Sequence, residues 1–161
     1  MLYKSDDIAL DQIDRNLLRL LQRNALASTD LLGEAAGLSP TAAKRRVNKL
    51  RANGTIVKDI SIADPQRLGF EVFTLVFVNL ERDRRDIVQS FKQSIEDNPR
   101  ITQGFYITGD ADFVLLVVSK SLEDYENFTR DFFWENPNIK SFKTMVIMDN
   151  IKLGFELPIE A

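Results

Sequence analysis

The 161-residue sequence predicts an α+β protein of two domains, a winged helix-turn-helix over residues 1–64 and a ferredoxin-like β-α-β-β-α-β domain over residues 65–161. Three observations predict it. The turn Gly37-Leu38-Ser39-Pro40-Thr41 joins two helical patterns in the first third. Asp64-Pro65 and Gly69 then mark a change from helical to strand-like periodicity. Finally, Asp97-Asn98-Pro99-Arg100-Ile101 recurs 38 residues later as Glu135-Asn136-Pro137-Asn138-Ile139, each time closing a helix and opening a strand.

From Leu10 to Gln22 the apolar residues Leu10, Ile13, Leu17, Leu18, Leu20 and Leu21 mostly recur at three- and four-residue steps. Asp11, Asp14 and Arg15 stand between them, so the segment is an amphipathic helix. A shorter helix opens at Ser28 or Thr29 and buries Leu31, Leu32 and Ala35. It ends at Gly37, whose missing Cβ permits a left-handed closing residue. Ser39 can cap a third helix with Pro40 at its first position, where an absent N–H does no harm; this helix runs to about Asn53 and stops at Gly54. Beyond it, Ile56, Ile60 and Ile62 alternate in part with polar residues, which predicts a strand that forms a wing or leads out of the module.

The third helix carries the chemistry of the first domain. Ala43, Val47 and Leu50, at steps of four and three, form its core face, which turns Thr41, Ala42, Lys44, Arg45, Asn48 and Lys49 outward, behind the capping Ser39. Small residues at the leading end let a helix approach the major groove closely, and cations along the exposed face neutralise phosphates. The same Lys-Arg-Arg run on an isolated helix would be no more than a solvated face; the preceding turn is what favours double-stranded DNA as the partner.

In the second domain, Val72 to Leu80 is a strand of β-branched and aromatic residues, and Arg84 to Asp97 is a helix burying Ile87, Val88, Phe91 and Ile95. Ile101 to Ile107 and Phe113 to Val118 are strands joined by Thr108-Gly109-Asp110-Ala111-Asp112. A helix from about Leu122 to Trp134 and a strand from Ile139 to Met148 follow, and Ile151 to Leu157 is expected to add a strand at a sheet edge. With both helices on one sheet face, the other face needs a cover, because either Phe73, Leu75 and Phe77 or their alternates Val72, Val76 and Val78 would otherwise be wet. Self-association is the simplest cover, and predicts at least a dimer.

Composition removes several function classes. The chain has no Cys and no His, which excludes disulfides, zinc sites of the Cys/His kind and imidazole-activated nucleophiles. Its 44% hydrophobic and 28% charged residues are ordinary for a soluble protein. No apolar run approaches membrane-spanning length, and the start of the chain does not resemble a secretory signal, so a cytoplasmic protein is expected. The net charge of −3 is unevenly placed: residues 1–64 hold ten Lys and Arg against eight acids, a net of +2, and residues 65–161 hold eleven against sixteen, a net of −5.

The order of elements, Leu10-Asp11-x-Ile13-Asp14 opening the first helix, Gly37-Leu38-Ser39-Pro40-Thr41 at the turn, Val47-x-x-Leu50-x-x-x-Gly54 closing the third helix and Gly109-Asp110-Ala111-Asp112-Phe113 between the middle strands resemble the Lrp/AsnC, or feast/famine, family over nearly the whole chain. The resemblance implies a transcriptional regulator whose second domain binds an amino acid and whose dimers assemble further, commonly into octamers, with the effector between dimers near the Gly-Asp loop. By position it implies an effector site of Gly109, Asp110, Asp112, Phe113, Leu122, Met145, Val146 and Ile147, with no cofactor, metal or catalytic residue. Ala111 stands where relatives often carry a bulky aromatic, and Met145 replaces an aromatic of the leucine-responsive type, which leaves the identity of the amino acid open.

Two other functions fit the residues. One is an architectural DNA-binding protein whose second domain only assembles the particle. The other is an enzyme in which Asp110 and Asp112 hold a metal or act as an acid/base pair, although no third ligand stands at an informative spacing. On residue pattern alone, Gly-Asp-x-Asp is also consistent with a hairpin whose Asp side chains bond their own backbone.

Overall fold

The computed structural model describes residues 9–82 and 84–160. They cluster into two compact units: one lies within Met1–Ile62 and Lys152–Ala161, and the other is Ala63–Ile151.

The first unit is built on three helices, α1 (Gln12–Arg23), α2 (Thr29–Ala36) and α3 (Pro40–Ala52). Each begins at a residue whose side-chain oxygen accepts a backbone N–H three positions on: Asp11 from Asp14, Ser28 from Leu31 and Ser39 from Ala42. Leu17, Leu21, Leu32, Ala36, Ala43 and Val47 form the core. The expected face of α2 needs correction. Leu32, Gly33 and Ala36 are buried, whereas Leu31 is 47% exposed and Ala35 faces solvent. The reason is the close approach of the turn: a Cβ on Gly33 would stand 2.7 Å from the carbonyl oxygen of Leu38, so only glycine lets α2 present this face to the α3 entry. Gly37 closes α2 in the left-handed region at φ 64°.

Two expected strands do not form. Residues 55–64 carry no strand; the Ile56 N–H returns to Leu50 O at 2.9 Å, and Val57, Ile60 and Ile62 stay exposed because no second strand lies beside them among the described residues. The Ile151 to Leu157 segment adds no sheet edge. Its backbone instead meets α1: Gln22 Nε2 donates to Leu157 O at 3.1 Å, Leu157 N donates to Gln22 Oε1 at 2.7 Å, and Arg23 pairs with Glu156 at 2.8 Å.

The second unit runs β1 (Val72–Leu80), α4 (Arg85–Asp97), β2 (Ile101–Tyr106), β3 (Phe113–Ser119), α5 (Leu122–Thr129) with a π-helical continuation Arg130–Trp134, and β4 (Ile139–Val146). The sheet order is β2-β3-β1-β4 with every pairing antiparallel, the predicted ferredoxin-like topology. One face of the sheet carries Val76, Val78, Leu80, Phe113, Leu115 and Val117 into a core with Phe91, Phe128 and Phe133 from the helices. Gly104 lets α4 lie close to β2, since a Cβ there would meet Ile95 at 2.7 Å. Strand alternation places Phe73, Leu75 and Phe77 of β1, paired with Val118, Leu116 and Val114 of β3, on the opposite face. Phe73, Leu75 and Phe77 are half-buried there.

Candidate functional site

The α3 helix turns as its spacing predicts. Ala43, Val47 and Leu50 are buried, Thr41, Lys44, Arg45, Asn48 and Lys49 are exposed, and Ala42 is half-buried near the leading end. Ser39 is exposed, and its hydroxyl oxygen accepts the Ala42 N–H at 3.3 Å. Lys44, Arg45 and Lys49 have no ion-pair partner among the described residues, so their charge is free for an anionic ligand.

Two neighbouring cations are already engaged. Arg51 pairs with Asp59 at 2.9 Å. The Arg46 guanidinium donates through Nη1 to the carboxylates of both Asp11 and Asp14, the latter at 3.0 Å. The Asp14 backbone N–H and the Arg46 guanidinium hold the Asp11 carboxyl below its ordinary range, and the two carboxylates raise Arg46 in turn. The α3 face is therefore a stripe of three free cations and two small polar residues behind a narrow end, bounded by a neutralised Arg46.

The residues expected at the effector site fall into two groups at opposite ends of the sheet. Gly109, Asp110 and Asp112 occupy the β2–β3 loop, beside the end of β1: the Asp112 N–H donates to Val78 O at 3.0 Å, and its carboxylate accepts the Leu80 N–H at 2.8 Å. Gly109 sits at φ 137° and, like Asp110, is exposed. Phe113 belongs to this end but points inward: it is 1% exposed, with its ring 4.9 Å from those of Phe91 and Tyr106. Leu122 opens α5 at the other end, three residues past the end of β3, and is exposed. Met145 and Val146, paired with Leu75 and Thr74 near the start of β1, are half exposed, and the Ile147 N–H donates to Phe73 O at 2.8 Å. One chain thus brings Gly109, Asp110 and Asp112 together and brings Met145, Val146 and Ile147 together, but does not join the two groups.

Residues 10–51 match the AsnC-type helix-turn-helix domain, and residues 74–157 match the Lrp/AsnC ligand binding domain. The chain belongs to the Lrp/AsnC family. It is 49% identical over 151 residues, 94% of this chain and 89% of the other, to an uncharacterized HTH-type transcriptional regulator, y4tD, of Sinorhizobium fredii. An AsnC family transcriptional regulator from Agrobacterium tumefaciens superposes with TM-score 0.85 at 27% identity, covering 92% of this chain and 97% of that one. The fold is also that of a transcriptional regulator from Neisseria meningitidis solved in complex with L-Met, with TM-score 0.87, 23% identity, and 93% and 97% of the two chains covered.

As a member of the Lrp/AsnC family this protein is a transcriptional regulator, with a DNA-binding helix-turn-helix followed by a ligand-binding domain. Among the described residues no cluster of three or more side chains suited to a metal ion occurs, and no helix is long and apolar enough to cross a membrane. Two contributors to the site escape sequence reasoning. Gly33 looks like an ordinary helical glycine until the turn is seen folded over it, and Arg46 looks like one more cation of the stripe. The heptad-like step from Ala43 to Val47 and Leu50 puts Arg46 beside the core face, which is the one signal that could have separated it from Lys44 and Arg45.

Proposed function

We propose that this Lrp/AsnC regulator works in the cytoplasm as a homo-oligomer, reads double-stranded DNA with α3, and has its operator affinity and assembly set by an amino acid held between copies of the chain. In this reading Ser39, Thr41, Ala42, Lys44, Arg45, Asn48 and Lys49 face the DNA. The stretch to residue 64 serves DNA binding and the domain from residue 65 serves assembly and effector binding.

The observation that carries the shared site is the split of the effector residues. The β3 strand separates the two groups, and its seven residues span about 20 Å, longer than a free amino acid. If both groups contact one ligand, different copies supply them. Asp110 then accepts from the ammonium and the exposed backbone around Gly109 serves the carboxylate, while Leu122, Met145 and Ile147 of another copy offer an apolar wall for the side chain, with Val146 on the other face of β4 beside them. Asp112 and Phe113 shape the loop from beneath, through the Leu80 N–H and the aromatic core. The L-Met bound by the Neisseria regulator supports a ligand of this chemistry. A half-buried apolar sheet face supports dimers, and a ligand seated between dimers would bind assembled and separated states unequally, which is the energy that shifts DNA affinity.

The test is a panel of the twenty amino acids scored for operator affinity and for assembly size by sedimentation. At least one should change both. A panel in which none alters either, with DNA binding intact, removes the effector and leaves an architectural DNA-binding protein.

A further inference from the structure

We infer that Asp11 and Asp14 act on DNA recognition from outside the interface, by gripping Arg46 and so fixing the rotation of α3 about its own axis. This rests on the reading of α3 as the DNA-facing helix.

The core contacts of α3 are apolar and carry no directional bond between its side chains and α1. Its buried side chains are Ala43, Val47 and Leu50, and Ala43, the most central to the helix bundle at 0% exposed, offers only a methyl group. A roll of a few tens of degrees would carry Thr41, Arg45 and Asn48 off their base edges, and a charged, directional contact at the border of the core face opposes it. Arg46 lies on the border of the core face and reaches α1. Its Nη1 meets both Asp11, the residue preceding α1, and Asp14, within the first turn, whose side chain is only 15% exposed. Asp11 serves twice: Oδ1 accepts the Asp14 N–H at 2.8 Å, closing the helix start, and Oδ2 accepts from Arg46. The grip is thus anchored to a rigid helix end. The three side chains border a cleft of about 440 Å³ that also contains Arg45 and Lys49, so the grip adjoins the free cations without joining them.

The signs of the effects separate this role from the alternatives. Near DNA an acid repels phosphates, so simple electrostatics predicts that removing Asp11 and Asp14 tightens binding. A positioning role predicts weaker selectivity. The experiment uses full-length protein with two duplexes of equal length, one selected from a random library by the wild-type protein and one of random sequence, each titrated across a range of salt. Asp11→Asn/Asp14→Asn retains the cap, because Asn is as good as Asp there. Its ratio of selected to random affinity should fall about ten-fold, the size of one base-edge recognition. Arg46→Gln should reduce the ratio equally while keeping the wild-type salt slope, and the triple variant should fall no further than either.

The positioning role is overturned if Arg46→Gln flattens the salt slope by about 0.9, the mark of a phosphate ligand, or if the acid-to-amide variant binds both duplexes more tightly with an unchanged ratio. Lys44→Gln is the control for the underlying reading. If the control and the Lys44→Ala/Arg45→Ala variant both leave the slope unchanged, α3 does not face the DNA and the failure lies there; melting curves identify any variant that has unfolded, in which case Asp11→Asn alone carries the test.

Discussion

The carboxylate of Asp112 accepts the backbone N–H of Leu80 at 2.8 Å, so the loop between β2 and β3 is tied to the far end of β1. An exposed loop containing Gly109 is thereby held at a fixed place on a rigid sheet.

This bond separates the two aspartates of the Gly-Asp-x-Asp motif. Asp112→Ala should leave a part-buried N–H unsatisfied, cost about 1–3 kcal/mol and lower the melting temperature, with Asp112→Asn, which keeps an acceptor, recovering most of the loss. Asp110→Ala removes an exposed side chain and should melt with the wild type while losing the amino-acid-induced change in DNA affinity. Thermal melts of the three variants, with operator titrations of Asp110→Ala across the panel of twenty amino acids, check this.

Gly33→Ala places a Cβ 2.7 Å from the Leu38 carbonyl oxygen, so the turn between α2 and α3 must open. The expected cost is about 1–3 kcal/mol, read as a lower urea midpoint. DNA affinity should fall with it, because the carbonyl belongs to the entry of α3. A midpoint equal to the wild type would show that the turn yields freely.

Acid should loosen the first unit in a defined window. Asp11 has its carboxyl held below the ordinary range, first by the Asp14 N–H and then by Arg46. Such a group contributes stability that is fully present above its unfolded value of about 4 and is lost as pH falls through the lower folded value. Asp11→Asn keeps the cap but cannot titrate, so its melting temperature should decline less steeply below about pH 4. Parallel acid limbs for the two proteins would contradict this.

The half-buried face of the sheet gives a prediction about assembly. Leu75 lies at the middle of β1 on that face, opposite Leu116 and Met145. Leu75→Arg should shift sedimentation toward smaller species without unfolding the chain, since the helix-facing side of β1 is untouched. An unchanged sedimentation profile would place the subunit contact elsewhere.

How much of this could be read from the sequence depended on how local each cause was. Ser28, Ser39 and Gly37 announced their helix ends because capping is decided within four residues, and β1 and α4 followed from periodicity. The buried face of α2 could not be read, because it depends on Leu38 folding back over Gly33. The strands expected at Ile56–Ile62 and Ile151–Leu157 had the right alternation, but a strand also needs a neighbour, which no pattern within the segment supplies. The residues expected at the effector site follow from family position, and only the register of β1 with β3 and β4 reveals that they lie at two ends of a sheet. The Arg46 grip on Asp11 and Asp14 joins residues more than thirty positions apart, beyond the reach of helical spacing.

Whether α3 reads DNA through its free cations is tested most directly by a gel-shift titration of Lys44→Ala/Arg45→Ala at several salt concentrations. Every phosphate left without its cation should reduce the slope of log affinity against log salt by about 0.9, so the double variant should bind more weakly and with a slope flatter by up to about 1.8, at an unchanged assembly size. Wild-type affinity and slope in the double variant would contradict this role for α3, because the DNA would then be held by another surface.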